Sequence, residues 1–174
     1  MSRSVELLKK RYLKNIKENP DLFIGIELEF PIVNLEGKAT DGEVVKDLFR
    51  YLPLVLGFTI EKVDDFGNPI QLLDPVSQDT ILFEVAYTTI EFAFGKAESI
   101  QEVEERFTFY MATIQNKLGG ANHAIVGCGI HPNWDKNKNC PVAYPRYQML
   151  MDYLNLSRNV TESDLHHFPE YGAF

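Results

Sequence analysis

The stretches Gly25-Ile26-Glu27-Leu28-Glu29-Phe30 and Thr89-Ile90-Glu91-Phe92-Ala93-Phe94 set large apolar residues at every second position and place carboxylates between them. Successive side chains of an extended chain point to opposite faces. Ile26, Leu28 and Phe30 therefore share one face and Glu27 and Glu29 the other. In the second stretch Ile90, Phe92 and Phe94 oppose Thr89, Glu91 and Ala93. Both stretches are expected to be strands with one apolar and one acidic face. Just upstream, Ile81-Leu82-Phe83-Glu84-Val85 encloses Glu84 between apolar neighbours. A two-residue hairpin loop at Tyr87-Thr88 would pair 86 with 89 and 84 with 91, setting Glu84 directly opposite Glu91.

Like charges facing each other across a ladder are destabilising, and burying even one unpaired carboxylate is costly. A divalent cation resolves the conflict. Carboxylate oxygen is the hard ligand that magnesium takes, at about 2.0–2.1 Å, and water and phosphate commonly complete the shell. Alpha carbons at i and i+2 of a strand lie about 6.5–7 Å apart, so Glu27 and Glu29 are spaced to hold one ion from two sides or to serve neighbouring ions. One acidic strand alone is more often the solvated side of an antiparallel sheet. Two of them, with a further carboxylate facing the second, favour a cation on this face.

Outward from these strands, residues 4–18 are expected to form a helix with Val5, Leu8, Tyr12 and Ile16 on one stripe, ended by Asn19-Pro20. The first acidic strand takes about 23–34. Thr40-Asp41 starts a second helix, which carries Val44, Val45, Leu48, Phe49 and Leu52 and stops before Pro53. Short strands near 57–63 and 69–73 flank a turn from Asp64 to Asn68, and the carboxylate hairpin fills 80–94. Ser99-x-x-Glu102 is a capping box for a long helix to about 118, with Ile100, Val103, Phe107, Met111, Ile114 and Leu118 as its core stripe and Gly119-Gly120 as its end. His123 to Ile130 reads as a buried strand, His131 to Ala143 as a loop, and 145–155 as a last helix. This order predicts a single α+β domain over 1–174, a mainly antiparallel sheet with helices on one face.

The acidic strands also take part in a wider pattern. Gly25-Ile-Glu-Leu-Glu-Phe30, Phe83-Glu-Val-Ala-Tyr-Thr-Thr-Ile-Glu-Phe92, Gly127-Cys-Gly-Ile-His-Pro132 and Pro145-Arg-Tyr-Gln-Met149 follow in that order. From about residue 23 onward, the chain resembles the glutamate-cysteine ligase (gamma-glutamylcysteine synthetase) family. The similarity is to the bacterial ligases that include the ligase domain of the bifunctional glutathione synthetase. What the resemblance implies is part of a glutamine-synthetase-like fold, in which a curved sheet cradles ATP, metal ions and glutamate. It implies Glu27, Glu29, Glu84 and Glu91 as ligands of Mg2+ or Mn2+. The implied reaction passes the terminal phosphate of ATP to the side-chain carboxylate of glutamate, and the amine of cysteine then attacks the acyl phosphate. Such chemistry is mostly positioning and charge neutralisation, which an acidic cation site supplies without a protein nucleophile. Family members have a longer catalytic domain, so the chain is expected to be the amino-terminal half of one.

Three further residues are candidate contacts for substrate or nucleotide. His131 stands where a strand gives way to a loop, and its plain alternative is an ordinary loop histidine. Arg146 and Tyr147 are suited to hold a carboxylate or phosphate through the guanidinium fork, against the alternative of a surface ion pair. No catalytic residue is assigned.

Composition narrows the classes. A 174-residue chain with 45% hydrophobic and 24% charged residues suits one globular domain. Its net charge of -8 argues against nucleic acid or an anionic membrane as the main partner, and means that ATP needs cations or a local basic pocket. With no long apolar run and no signal peptide at the start, cytoplasm is expected. Cys128 and Cys140 are too few for a disulfide framework and are expected to be reduced, and His166-His167 to be a surface pair. The phosphate loop, the dinucleotide fingerprint and the hydrolase elbow do not occur. Two alternatives to the ligase stand beside it: a catalytically incomplete metal- or amino-acid-binding module of the same fold, and a metal-dependent hydrolase or phosphotransferase using the same carboxylates.

Overall fold

Alternation in the acidic stretches does produce strands, and they lie next to each other. The computed structural model describes residues 2–133, 136–137 and 141–158, with side chains of the last helix as far as Tyr153. In chain order the elements are α1 (Arg3–Leu13), β1 (Glu27–Asn34), α2 (Gly42–Leu56), β2 (Thr59–Val63), β3 (Pro69–Leu73), β4 (Thr80–Phe83), β5 (Thr89–Ala93), α3 (Ile100–Gly119), β6 (His123–Ile125) and α4 (Pro145–Arg158). The strands form one open sheet in the order β2-β3-β4-β5-β1-β6, with every neighbouring pair antiparallel. The fold is α+β with a curved, antiparallel sheet. Among the described residues no helix is long and apolar enough to cross a membrane.

One face of the sheet is the core. Leu72, Ile81, Ile90, Phe92 and Ile32 contribute from successive strands, and all are buried. Val45, Leu48, Phe49 and Leu52 of α2 cover them together with Val103, Tyr110, Ile114 and Leu118 of α3. Aromatic rings knit the layers: Phe49 stacks on Phe83 at 3.7 Å, and Phe92 meets Phe107 edge-on at 5.5 Å. Each such side chain removed from water is worth about 1.5–3 kcal/mol, which is what holds the helices to the sheet.

The helix starts follow the sequence. Asp41 accepts from the Glu43 N–H at 2.9 Å and Ser99 from the Glu102 N–H at 3.2 Å, while Glu102 reaches back to the Glu98 N–H at 3.0 Å. Several other expectations change. The first helix stops at Leu13 rather than near residue 18, and no residue of it is buried, so its stripe of Val5, Leu8 and Tyr12 faces solvent. Pro53 does not end α2. It sits in the last turn, and Gly57, in a left-handed conformation, donates its N–H to the Pro53 carbonyl at 3.1 Å and closes the helix there. On α3, Tyr110 is buried and Ile100 is exposed, because the apolar stripe starts at Val103. Only His123–Ile125 of the expected strand to Ile130 pairs, and Gly127 to Ile130 are exposed. Cys128 is an exposed free thiol, whereas Cys140 and His166-His167 lie outside the described residues.

A buried polar clasp joins α3 to the sheet end. Asp79 is buried and accepts from the Gly95 N–H at 2.7 Å, from Arg106 Nη1 at 2.9 Å and from the Tyr110 hydroxyl at 2.9 Å. Burial and the Asp79 carboxylate push the Tyr110 phenol above its ordinary value, so the hydroxyl stays a donor. Gly95 is needed for the approach, since a methyl there would run into the Ser77 carbonyl. Gly95→Ala is expected to cost about 2 kcal/mol or more, lowering Tm by at least about 4 °C in thermal circular dichroism. An unchanged Tm would mean that this turn yields.

Candidate functional site

The acidic face is built by β1 and β5 and completed from the end of β4. Glu29 lies directly opposite Glu91, with Leu28 paired to Phe92 and Phe30 to Ile90 on the other face. Glu27 stands two residues before Glu29 on the same side, opposite Ala93. Glu84 arrives by a different route from the one the sequence suggested. β4 and β5 pair with Phe83 opposite Ile90 and Leu82 opposite Glu91, so Glu84 is not directly across from Glu91 and the loop is not two residues long. The connection runs from Glu84 to Thr88, with the Glu84 N–H donating to the Thr89 carbonyl at 3.1 Å and the Ala86 N–H to the Glu84 carbonyl at 2.6 Å.

Val85 in this connection has a φ of 57°, a left-handed conformation that a β-branched residue adopts only when its surroundings impose it. Two features hold it. Its side chain is buried, and its carbonyl accepts the Val142 N–H at 2.7 Å. The shift of two residues keeps Glu84 on the acidic side as a diagonal neighbour of Glu91.

Glu91 and Glu29 feel the neighbouring carboxylates of this face. The Glu91 carboxyl is pushed up to about 7, first by burial, then by the Glu84 charge and a hydrogen bond to Glu84, then by Glu27 and Glu29. Glu29 is raised by burial and by the charges of Glu84 and Glu27. A hydrogen bond between two carboxyl groups requires a proton, and the raised Glu91 carboxyl carries it below about pH 7. Their oxygen donors suit a hard divalent ion such as magnesium or manganese. Among the described residues, no three His, Cys, Asp or Glu side chains converge closely enough to hold a metal ion as they stand. A cation would have to draw these carboxylates inward.

The other expected contacts separate. His131 is completely buried, and its ring is used within the chain. Nε2–H donates to the Ile32 carbonyl at 2.9 Å and Nδ1 accepts the Asn133 N–H at 3.1 Å, while burial pushes the imidazole below its ordinary value. Neither nitrogen faces a ligand here. The ring instead ties Asn133 and Asn137 to β1. Tyr147 is also buried, and its hydroxyl donates to the Phe83 carbonyl at 2.8 Å and lies 3.4 Å from Glu84 Oε2. Its one proton goes to that carbonyl beside Glu84, and burial with the Glu84 charge keeps the phenol protonated. Arg146 is exposed, lines a cavity of about 280 Å³ with Met149, Leu150 and Tyr153, and makes no ion pair among the described residues.

Two groups escaped the sequence reading. His123 is buried, donates from Nδ1 to the Ala121 carbonyl at 2.7 Å and accepts the Asp41 N–H on Nε2 at 3.0 Å, anchoring the start of α2. On the acidic face, the row from Glu29 through Glu91, Leu82 and Gln71 ends at Lys62, whose Nζ donates to Gln71 Oε1 at 2.7 Å. Four strand spacings put Lys62 about 19 Å from Glu29, a separate patch on the same side. The alternation of 69–73 gives the position of Gln71, but bulges between Ile60 and Val63 hide that of Lys62.

No protein-family model matches the chain, and no curated protein matches it.

The acidic face sets a pH dependence. A carboxyl whose folded-state value is raised contributes stability that is fully present below its unfolded value, 4.5, and is lost as pH rises through about 7. Tm is expected to fall between pH 5 and pH 8 by about 3–8 °C, corresponding to about 1–2 kcal/mol once solvent screening at this half-exposed site is allowed for. Glu91→Gln should flatten that slope in a thermal melt series. A slope unchanged in the variant would assign it to another group.

Proposed function

We propose that the acidic side of the sheet is the cation-binding side of an ATP-dependent ligase, which joins the side-chain carboxylate of glutamate to the amine of cysteine. The observation that carries this reading is the register that sets Glu29 against Glu91, with Glu84 and Glu27 beside them. A like-charge pair at the centre of a sheet is costly on its own and useful with a counter-ion. The specific reaction rests on the resemblance of the motifs around Glu27, Glu84, Glu91, His131 and Arg146 to the glutamate-cysteine ligases.

In this reading, transfer of the terminal phosphate of ATP to the glutamate carboxylate gives ADP and an acyl phosphate. The cysteine amine then displaces phosphate, forming the amide and releasing a proton. A bound magnesium ion supplies charge neutralisation on the phosphate oxygens. Glu27, Glu29, Glu84 and Glu91 would hold it once drawn inward, and the exposed guanidinium of Arg146 is available to an anionic substrate group. A second reading is a module that binds a metal or amino acid without turnover.

Calorimetry with magnesium or manganese, run beside an ADP-release assay, tests both. Binding is expected at pH 8, weakened at least about tenfold in Glu29→Gln and Glu91→Gln, which is about 1.4 kcal/mol. ADP release that needs glutamate and cysteine together supports the ligase. Cation binding without ADP release supports a metal-binding module, and no cation binding rejects the ligase and that module together.

A further inference from the structure

We infer that α1 is an interfacial helix that lays its apolar side into an anionic lipid bilayer. From Ser2 to Phe23 every residue is exposed, and the body of the fold begins only at Ile24, which pairs through its backbone with Ala97. Within this arm α1 is a complete helix, capped by Ser2, which accepts the Val5 N–H at 3.4 Å, yet none of its residues is buried. A free helix of this length is marginal in water, and an amphipathic one gains stability when its apolar side is covered.

The two sides of the helix differ in kind. At about 100° per residue, Val5, Leu8 and Tyr12 fall within an arc of about 60°. They are bare, exposed by 38%, 54% and 75%. Arg3, Lys10 and Lys14 lie on the opposite side, with Leu7 as the one apolar residue among them. None of these three bases makes an ion pair among the described residues. Of the chain's 17 lysines and arginines and 25 aspartates and glutamates, residues 3–17 hold six bases and one acid, Glu6. The net charge of -8, which argues against an anionic surface for the chain as a whole, therefore hides a positive arm.

That placement selects the partner. Bases opposite the apolar stripe stand about 10 Å from it across the helix, so a protein groove that covered the stripe would leave them in water. Nucleic acid would take the bases and leave the stripe bare. A helix lying at the boundary of headgroups and acyl chains satisfies both sides, with its apolar residues about 5–10 Å deep and its bases among lipid phosphates. Tyr12 suits that level, since its ring is apolar and its hydroxyl reaches water. The acidic body can stand clear of the surface. Residues 14–23 reach up to about 33 Å when extended, several times the screening length of about 8 Å at physiological salt.

Co-sedimentation of the full chain with lipid vesicles tests this. Binding to phosphatidylcholine vesicles carrying about 30% phosphatidylserine is expected to be at least about tenfold tighter than to phosphatidylcholine alone, and to weaken at least about tenfold in about 0.5 M salt. Leu8→Glu, which breaks the apolar stripe, and Lys10→Glu/Lys14→Glu, which reverses the basic side, should each weaken it at least about tenfold. All three positions are exposed, and circular dichroism checks that each variant is folded. Absence of binding to the anionic vesicles overturns the inference. So does unchanged binding by Leu8→Glu, which would leave only a general attraction to polyanions such as nucleic acid. Unchanged binding by Lys10→Glu/Lys14→Glu overturns it as well, because lipid charge would then have no part.

Discussion

The pairing of β1 with β5 is the constraint on which the rest depends. Leu28, Phe30 and Ile32 on one strand and Ile90 and Phe92 on the other must all face α2 and α3, and a slip of one residue would turn Glu27, Glu29 and Glu91 into that core. Burial of the apolar side therefore forces Glu29 and Glu91 to oppose each other. The acidic side is a consequence of the register as much as a separate design. Its electrostatic cost is met by protonation of Glu91 or by a counter-ion, and the core supplies the free energy that tolerates either.

Around that centre, buried polar groups fix segments that lack regular structure. Asp79 gathers Gly95, Arg106 and Tyr110 at one end, and Asp64 does the same for the turn after β2. Burial alone would raise Asp64, but hydrogen bonds from the Tyr87 hydroxyl, Asn68 and the Phe66 N–H hold its carboxyl below the usual range. His123 holds the start of α2 to β6, and His131 holds Asn133 to β1. Satisfied groups of this kind are costly to disturb because each partner is left buried and unpaired.

What was legible in the sequence was what periodicity and capping encode locally. The alternation of 25–30 and 89–94 gives both strands and their faces, and Ser99 with Glu102 gives the start of α3. Local pattern says less about how segments meet. The hairpin register depends on a left-handed Val85 that no turn residue announces, and the burial of His131 depends on carbonyls and amides distant in sequence. The apolar stripe of α1 is a real periodicity with no core to meet, since period alone does not say whether a partner is present. Among the candidate site residues, the four glutamates share one face of the sheet without converging on a point, whereas His131 and Tyr147 are drawn into packing roles that their residue types did not reveal.

The conformation of Val85 sets two selective pressures against each other. Glycine at that position would enter the left-handed region without steric cost and relax the turn, so a search for a more stable chain would favour it. The same relaxation would free the backbone that aims Glu84 at Glu91. Tolerance of a strained valine therefore trades stability for the approach of two carboxyl groups, and variants ranked by melting temperature alone would drift away from it.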